Sequence, residues 1–212
     1  MVIIGLTGSV ATGKTTVAGM FRELGARVLD ADRIAHQLLQ PGRSCYCKIV
    51  RHFGAGILSR TAIDRQRLAE IAFCDPKERK FLESMVHPQV LALIRKQIRT
   101  WRQNPRIAAV VLDVPLLFEA NWQKVVDVTV TVISKRSIQL TRFNRKTGMS
   151  RTHALKRIRA QLSQREKAAR SDYVINNNGT IKETAQQVLH IWKKILKSHR
   201  GASRLKHGRS PR

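Results

Sequence analysis

The segment Gly8-Ser9-Val10-Ala11-Thr12-Gly13-Lys14-Thr15 constrains this 212-residue chain more than any other. It fits the pattern Gly-x-x-x-x-Gly-Lys-Ser/Thr. It stands between an unbroken apolar run, Val2–Thr7, and a stretch with helical apolar spacing at Val17, Phe21 and Leu24. Gly8 and Gly13 permit a tight turn in which consecutive backbone N–H groups converge on a phosphate. The helix that follows adds its positive end and its unpaired amides. Lys14 reaches toward the terminal phosphates, and the Thr15 hydroxyl can ligate Mg²⁺. The loop therefore specifies a nucleoside triphosphate, but it does not choose between kinase, GTPase and motor.

A strand feeding such a loop is buried on both faces, which implies a parallel sheet. The rest of the chain alternates accordingly. Strands are predicted at Val2–Thr7, Arg27–Leu29, Ile107–Leu112, Val125–Ile133 and Tyr173–Ile175. Helices are predicted at Thr15–Leu24, Asp32–Leu39, Arg65–Phe73, Ser137–Arg145, Ser150–Lys167 and Thr180–Leu196. A further helix, Pro76–Trp101, should break or bend near His87-Pro88. Strand–helix alternation predicts an α/β fold with five parallel strands, helices on both faces and right-handed crossovers.

Charge is the compositional outlier. The chain carries 40 Lys plus Arg against 14 Asp plus Glu, a net charge of +26. Residues 135–170 hold 12 of the basic groups with one acid, Glu166, and residues 193–212 hold eight with none. Such a surface attracts polyanions. No apolar run approaches the ~20 residues of a membrane-spanning helix. Met1–Leu6 reads as a strand, not a leader. Cys45, Cys47 and Cys74 match neither a disulfide framework nor zinc-ligand spacing, so reduced thiols in a cytoplasmic setting are expected.

Asp30-Ala31-Asp32 lies at the end of the second predicted strand, on the same carboxyl edge as the phosphate loop. A carboxylate there can accept the proton of an attacking hydroxyl, or simply cap the next helix. Asp113 follows the third strand, as a metal-holding acid would. In the basic stretch, Arg142 and Arg145 lie three apart, and Arg157 and Gln161 share a face at i,i+4 spacing. An arginine-bearing lid would exclude water and stabilise charge on a transferring phosphoryl group; a solvated amphipathic hairpin has the same composition.

Taken in order, Gly8–Thr15, Asp30-Ala31-Asp32, His87-Pro88, Val114-Pro115-Leu116-Leu117-Phe118-Glu119, Gln139–Arg142, Gln161 and Asp172–Asn177 resemble the dephospho-CoA kinase family over about residues 2–197. The resemblance implies a P-loop NTPase fold with a helical CoA-binding region and a helical lid. It implies transfer of phosphate from ATP to the ribose 3′-hydroxyl of 3′-dephospho-CoA, with Mg²⁺. The catalytic residues it implies are Lys14, Asp32 and Arg142. ATP would meet Gly8, Ala11, Thr12, Gly13, Lys14, Thr15, Thr16 and Asn176. The acceptor would meet Asp30, Asp32, His87, Pro115, Leu116, Leu117, Phe118 and Glu119. Gln161 would join Arg142 in the lid.

The expected layout is one kinase domain, 1–198, with an acceptor-binding insertion at about 60–104, a lid at about 137–168, and a disordered basic tail at 199–212. Two departures from the family pattern stand out. Ser9 and Ala11 replace loop glycines, which is tolerable where the backbone avoids positive φ. Lys146-Thr147-Gly148 replaces an Arg-Asp-Gly lid turn. A nucleoside or shikimate-like alcohol kinase is the nearest rival, and the His-Pro and Pro-Leu-Leu-Phe-Glu elements count against it. A nucleic-acid-associated NTPase is the rival from another class. Aromatics are only 5% and none interleave with the basic runs, so nucleic acid is expected to bind weakly at most, and not as substrate.

Overall fold

The computed structural model describes residues 1–207. In chain order the elements are β1 (Val2–Thr7), α1 (Lys14–Glu23), β2 (Arg27–Asp30), α2 (Ala31–Leu38), α3 (Ser44–Phe53), β3 (Leu58–Ser59), β4 (Ala62–Ile63), α4 (Arg65–Cys74) and α5 (Pro76–Arg102). They continue with β5 (Ala109–Asp113), β6 (Val128–Ile133), α6 (Arg136–Thr147), α7 (Arg151–Arg159), α8 (Gln164–Ala169), β7 (Tyr173–Asn176) and α9 (Ile181–His207). The chain divides into two compact units, Met1–Leu29 with Asn104 onward, and Asp30–Gln103.

The first unit holds a five-stranded sheet in the order β2-β5-β1-β6-β7. β1 pairs in parallel with β5 (Leu6 opposite Asp113) and with β6 (Thr7 opposite Thr131), and β6 pairs in parallel with β7 (Ile133 opposite Asn176). The register brings Thr7, Asp113, Ile133 and Asn176 to one edge. The chain winds outward in one direction through β2 and β5 and in the other through β6 and β7. The reversal falls at β1, and such a switch point opens a crevice for ligands. β1 sits centrally because all six of its residues, Val-Ile-Ile-Gly-Leu-Thr, are buried.

Val17 and Phe21 of α1 and Ile191, Trp192 and Ile195 of α9 close over Ile4, Leu6 and Val111. The Phe21 and Trp192 rings meet at 6.2 Å, tilted by 54°. α8 packs against β6. The second unit is helical. There α2, α3 and α4 pack on α5, beside a β3–β4 hairpin. No described helix is long and apolar enough to cross a membrane.

Three expectations about the helices change. The helix expected over 150–167 is two, α7 and α8, because Ser163 starts a new helix with a capping box to Glu166. Gln161 therefore lies in the connection and not one turn beyond Arg157. α5 runs through Pro88 without interruption, and α9 continues to His207, well past Leu196. The tail expectation for 208–212 falls outside the described residues. α3 and the hairpin were not anticipated. α3 buries only Cys45 and Ile49, spaced four apart, which is a sparse apolar signal.

The phosphate loop departs from expectation at one residue: Ala11 has φ +55. Left-handed backbone costs a non-glycine residue about 1–2 kcal/mol, because Cβ crowds the following carbonyl. Ala11→Gly relieves that strain, less the extra freedom that glycine loses on folding. It should raise stability by up to about 1 kcal/mol. Thermal melts test this, and a lowered Tm would contradict the strain assignment.

Candidate active site

A loop that turns its amides toward an anion must turn carbonyls away from it, and each carbonyl then needs a donor elsewhere. The loop between β1 and α1 meets this requirement with side chains. Gln139 Nε2 of α6 donates to the Val10 carbonyl at 2.6 Å. The Thr12 carbonyl accepts from Asn177 Nδ2 at 2.8 Å and from Arg142 Nη1 at 3.3 Å. Thr12 Oγ1 closes the turn onto the Ser9 carbonyl at 3.0 Å.

Asn177 uses every group it has. Its amide N–H donates to the Ile133 carbonyl at 2.9 Å, its Oδ1 accepts from Thr184 Oγ1 at 2.9 Å, and its carbonyl accepts from Arg142 Nη2 at 3.2 Å. Gly13, at φ +95, packs so closely on the Asn177 side chain that a Cβ there would collide with it. A Cβ on Gly8 would strike the Val132 carbonyl. Both glycines are thus fixed by neighbours as well as by turn geometry.

α1 begins at Gly13 with no side-chain cap and no acid in its first turn. Its leading amides are therefore open to an anion. Lys14 is half-buried at the first helical position, and Thr15 and Thr16 are exposed. Ser9 Oγ is buried with no hydrogen-bond partner among the described residues. Asp113 ends β5 and is 9% exposed. Thr15 and Asp113 offer hard oxygen donors, and no group of three or more His, Cys, Asp or Glu suited to a metal occurs among the described residues. Hard oxygen donors of that kind fit Mg²⁺.

Beyond the loop, Thr7 Oγ1 donates to the Pro115 carbonyl at 3.0 Å and the Val114 amide to the Leu6 carbonyl at 2.9 Å. These bonds place the start of the segment Pro115–Glu119 beside the loop's root. Leu117 and Phe118 are buried and serve packing, while Pro115, Leu116 and Glu119 are partly accessible. Glu119 pairs with Lys167 at 2.9 Å. Asn176 is exposed, and its backbone exchanges two hydrogen bonds with the Gln187 amide, both at 2.9 Å. Gln164 bridges Ser134 and Gln139, extending the polar network from Val10 into α8.

The second unit carries the remaining predicted residues. Asp30 is the cap of α2, its Oδ1 accepting from the Arg33 amide at 2.9 Å. Asp32 follows in the first turn of α2 and is exposed. His36, one turn further on, lies 2.7 Å from Arg65 Nη1 through its Nδ1. Burial and the Arg65 charge hold His36 below the usual histidine range, against the opposing pull of Asp32 and Asp30. A neutral imidazole is what accepting an N–H from Arg65 requires. His87, on α5, is also pushed down by burial, with Glu83 opposing.

Sequence reasoning assigned no role to Asn177, Gln139, Gln164 or Lys167 as individual residues. The only advance signal for the first was its place after the last strand, in Asn176-Asn177-Asn178-Gly179. Asn177→Ala leaves the Thr12 carbonyl with only its longer bond from Arg142 and removes one of the two acceptors of the Thr184 hydroxyl. It should cost about 1–3 kcal/mol of stability and raise the KM for ATP roughly tenfold. Melting and steady-state kinetics check this, and an unchanged KM would show that the loop holds its shape without the amide.

A model of the dephospho-CoA kinase family matches residues 2–183. A dephospho-CoA kinase of Symbiobacterium thermophilum is 46% identical over 194 residues, covering 91% of this chain and 81% of that protein. One from Carboxydothermus hydrogenoformans is 44% identical, covering 91% and 93%. Among solved structures, TT1252 from Thermus thermophilus superposes with a TM-score of 0.80 at 32% identity, covering 93% of this chain and 97% of its own. The dephospho-CoA kinase from Campylobacter jejuni gives 0.66 at 26% identity, covering 93% and 98%. A shikimate kinase from Aquifex aeolicus shares the fold alone, at 0.52 and 15%. The ordered motifs, the pinned phosphate loop and these matches agree: the chain belongs to the dephospho-CoA kinase family.

Proposed function

We propose that the protein transfers the γ-phosphoryl group of ATP to the ribose 3′-hydroxyl of 3′-dephospho-CoA, the last step in making coenzyme A. The observation that carries this reading is the family match across residues 2–183, which takes in the whole phosphate loop and the Asp30-Ala31-Asp32 segment. The loop amides and the open end of α1 receive the β- and γ-phosphates, and Lys14 neutralises them. Thr15, with Asp113 at the end of β5, would hold Mg²⁺, which would supply charge neutralisation at the phosphates. Asp32 takes the proton of the 3′-hydroxyl as its oxygen attacks the γ-phosphorus. The bond from that phosphorus to the β,γ-bridging oxygen breaks, and ADP leaves with the electron pair.

Asp30 serves this step indirectly, by capping α2 and fixing the turn on which Asp32 stands. Arg142 spends two guanidinium N–H groups on the Thr12 and Asn177 carbonyls, and its remaining donors are available to phosphate. Asn176 would border the base of ATP. His87 and the exposed parts of Pro115–Glu119 would contact the acceptor; an uncharged His87 would do so by hydrogen bonding. The protein would act in the cytoplasm, where Cys45, Cys47 and Cys74 would stay reduced. Nucleic acid is not the substrate on this reading.

Incubating the protein with ATP, Mg²⁺ and, in parallel, dephospho-CoA, adenosine, shikimate or poly(U) tests the assignment. ADP release should require dephospho-CoA; release driven by poly(U) would favour a nucleic-acid-associated NTPase. Lys14→Ala should abolish transfer. Asp32→Asn should lower kcat by roughly two to four orders of magnitude with little change in ATP affinity. A loss confined to ATP binding would reassign Asp32 to the nucleotide.

A further inference from the structure

The side chain of Lys167 has no part in the reaction above, yet it is 0% exposed. Its ammonium donates to the Pro115 carbonyl at 2.6 Å and pairs with Glu119 Oε1 at 2.9 Å. The same Pro115 carbonyl accepts from Thr7, the residue before Gly8, and the same Glu119 oxygen accepts from the Leu162 amide at 2.9 Å. One buried ammonium therefore joins three places: the root of the phosphate loop, the segment Pro115–Glu119, and the connection between α7 and α8. Burial lowers the proton affinity of Lys167, Glu119 opposes that, and the charge of Lys14 adds to the lowering, so the two ammonium groups feel one another.

Packing alone does not account for such a pair. A buried ion pair is costly to desolvate, and two apolar side chains of similar size hold elements together at least as well. What the pair supplies, and apolar side chains cannot, is polar bonding to backbone: the ammonium donates to the Pro115 carbonyl and the carboxylate accepts from the Leu162 amide. At the connection it anchors, the Gln161 side-chain oxygen is buried and has no hydrogen-bond partner among the described residues. The connection thus presents an acceptor with its bonding capacity unused.

We propose that Lys167 is a positioning residue for phosphoryl transfer, fixing the Gln161-Leu162 connection to the root of the phosphate loop through Glu119 and Pro115. This rests on the kinase reading above. The loop carbonyls themselves are held by Gln139, Arg142 and Asn177, through bonds that include neither Lys167 nor Glu119. Loss of the Lys167 hub should therefore impair transfer while sparing ATP binding.

The test uses the full chain with Lys167→Met, the double variant Lys167→Met/Glu119→Leu, and Glu119→Gln. The single Lys167 variant leaves a buried carboxylate unpaired and can fail to fold. The double variant removes both charges and should melt close to the wild type. Its kcat should fall roughly tenfold or more, with the KM for ATP within about threefold of wild type. Glu119→Gln keeps an acceptor oxygen and the side-chain shape, and should lose kcat in the same sense but less. A folded double variant with wild-type kcat would overturn the inference, and so would an unchanged kcat in Glu119→Gln. A KM for ATP or for dephospho-CoA that rises in step with the kcat loss would overturn it too, assigning the pair to the nucleotide pocket or, through Glu119, to direct acceptor contact. If the wild type fails to phosphorylate dephospho-CoA, the kinase reading falls first and takes this inference with it; an active wild type with indifferent variants sinks the inference alone.

Discussion

Backbone carbonyls at the phosphate loop set the terms for the rest of the structure. An anion cradle built from amides leaves the opposite poles of the same peptide units in need of donors, and a buried carbonyl without one costs about 1–3 kcal/mol. Gln139, Arg142 and Asn177 supply those donors from α6 and from the turn after β7. The sheet order puts β6 and β7 on one side of β1, so the residues that follow them arrive at the loop's back. Once Asn177 is fixed by Thr184 and the Ile133 carbonyl, Gly13 has no room for a side chain. Side chains outside the loop thus hold the cradle in shape, which lowers the ordering cost of binding.

The concentration of positive charge acquires a different meaning in this light. Two basic residues of 135–170 are not solvated surface: Arg142 braces the loop and Lys167 is buried against Glu119, while Arg157 is exposed and lies 5.8 Å over the Phe143 ring. A run of cations that reads as a polyanion-binding face therefore includes groups committed to internal geometry. The others remain exposed, where they strengthen the potential that draws a polyphosphate toward the edge of the sheet.

The strands and the phosphate loop were legible because their signals are local. β1 is apolar throughout, and Gly8, Gly13 and Lys14 occupy fixed offsets. Asp30 and Asp32 were legible as a pair, but which one caps α2 depends on a backbone angle that no residue type dictates. The division of α7 from α8 was available in the Ser163–Glu166 spacing, though helical apolar periodicity across 150–167 hid it. The left-handed Ala11 was not legible, since alanine avoids that conformation and adopts it here only because the surrounding loop demands it. Asn177 and Lys167 were hidden for a further reason: their partners lie 165 and 52 residues away in the chain, at Thr12 and Pro115. No pattern within a helix or strand reports such contacts.

A crystal structure with a non-hydrolysable ATP analogue measures the central point most directly. Bracing from outside the loop predicts that the Val10 and Thr12 carbonyls are on Gln139, Arg142 and Asn177 while the phosphates occupy the amide face and the start of α1. A loop found rebuilt around the analogue, with those carbonyls released and Asn177 turned away from Gly13, would contradict it.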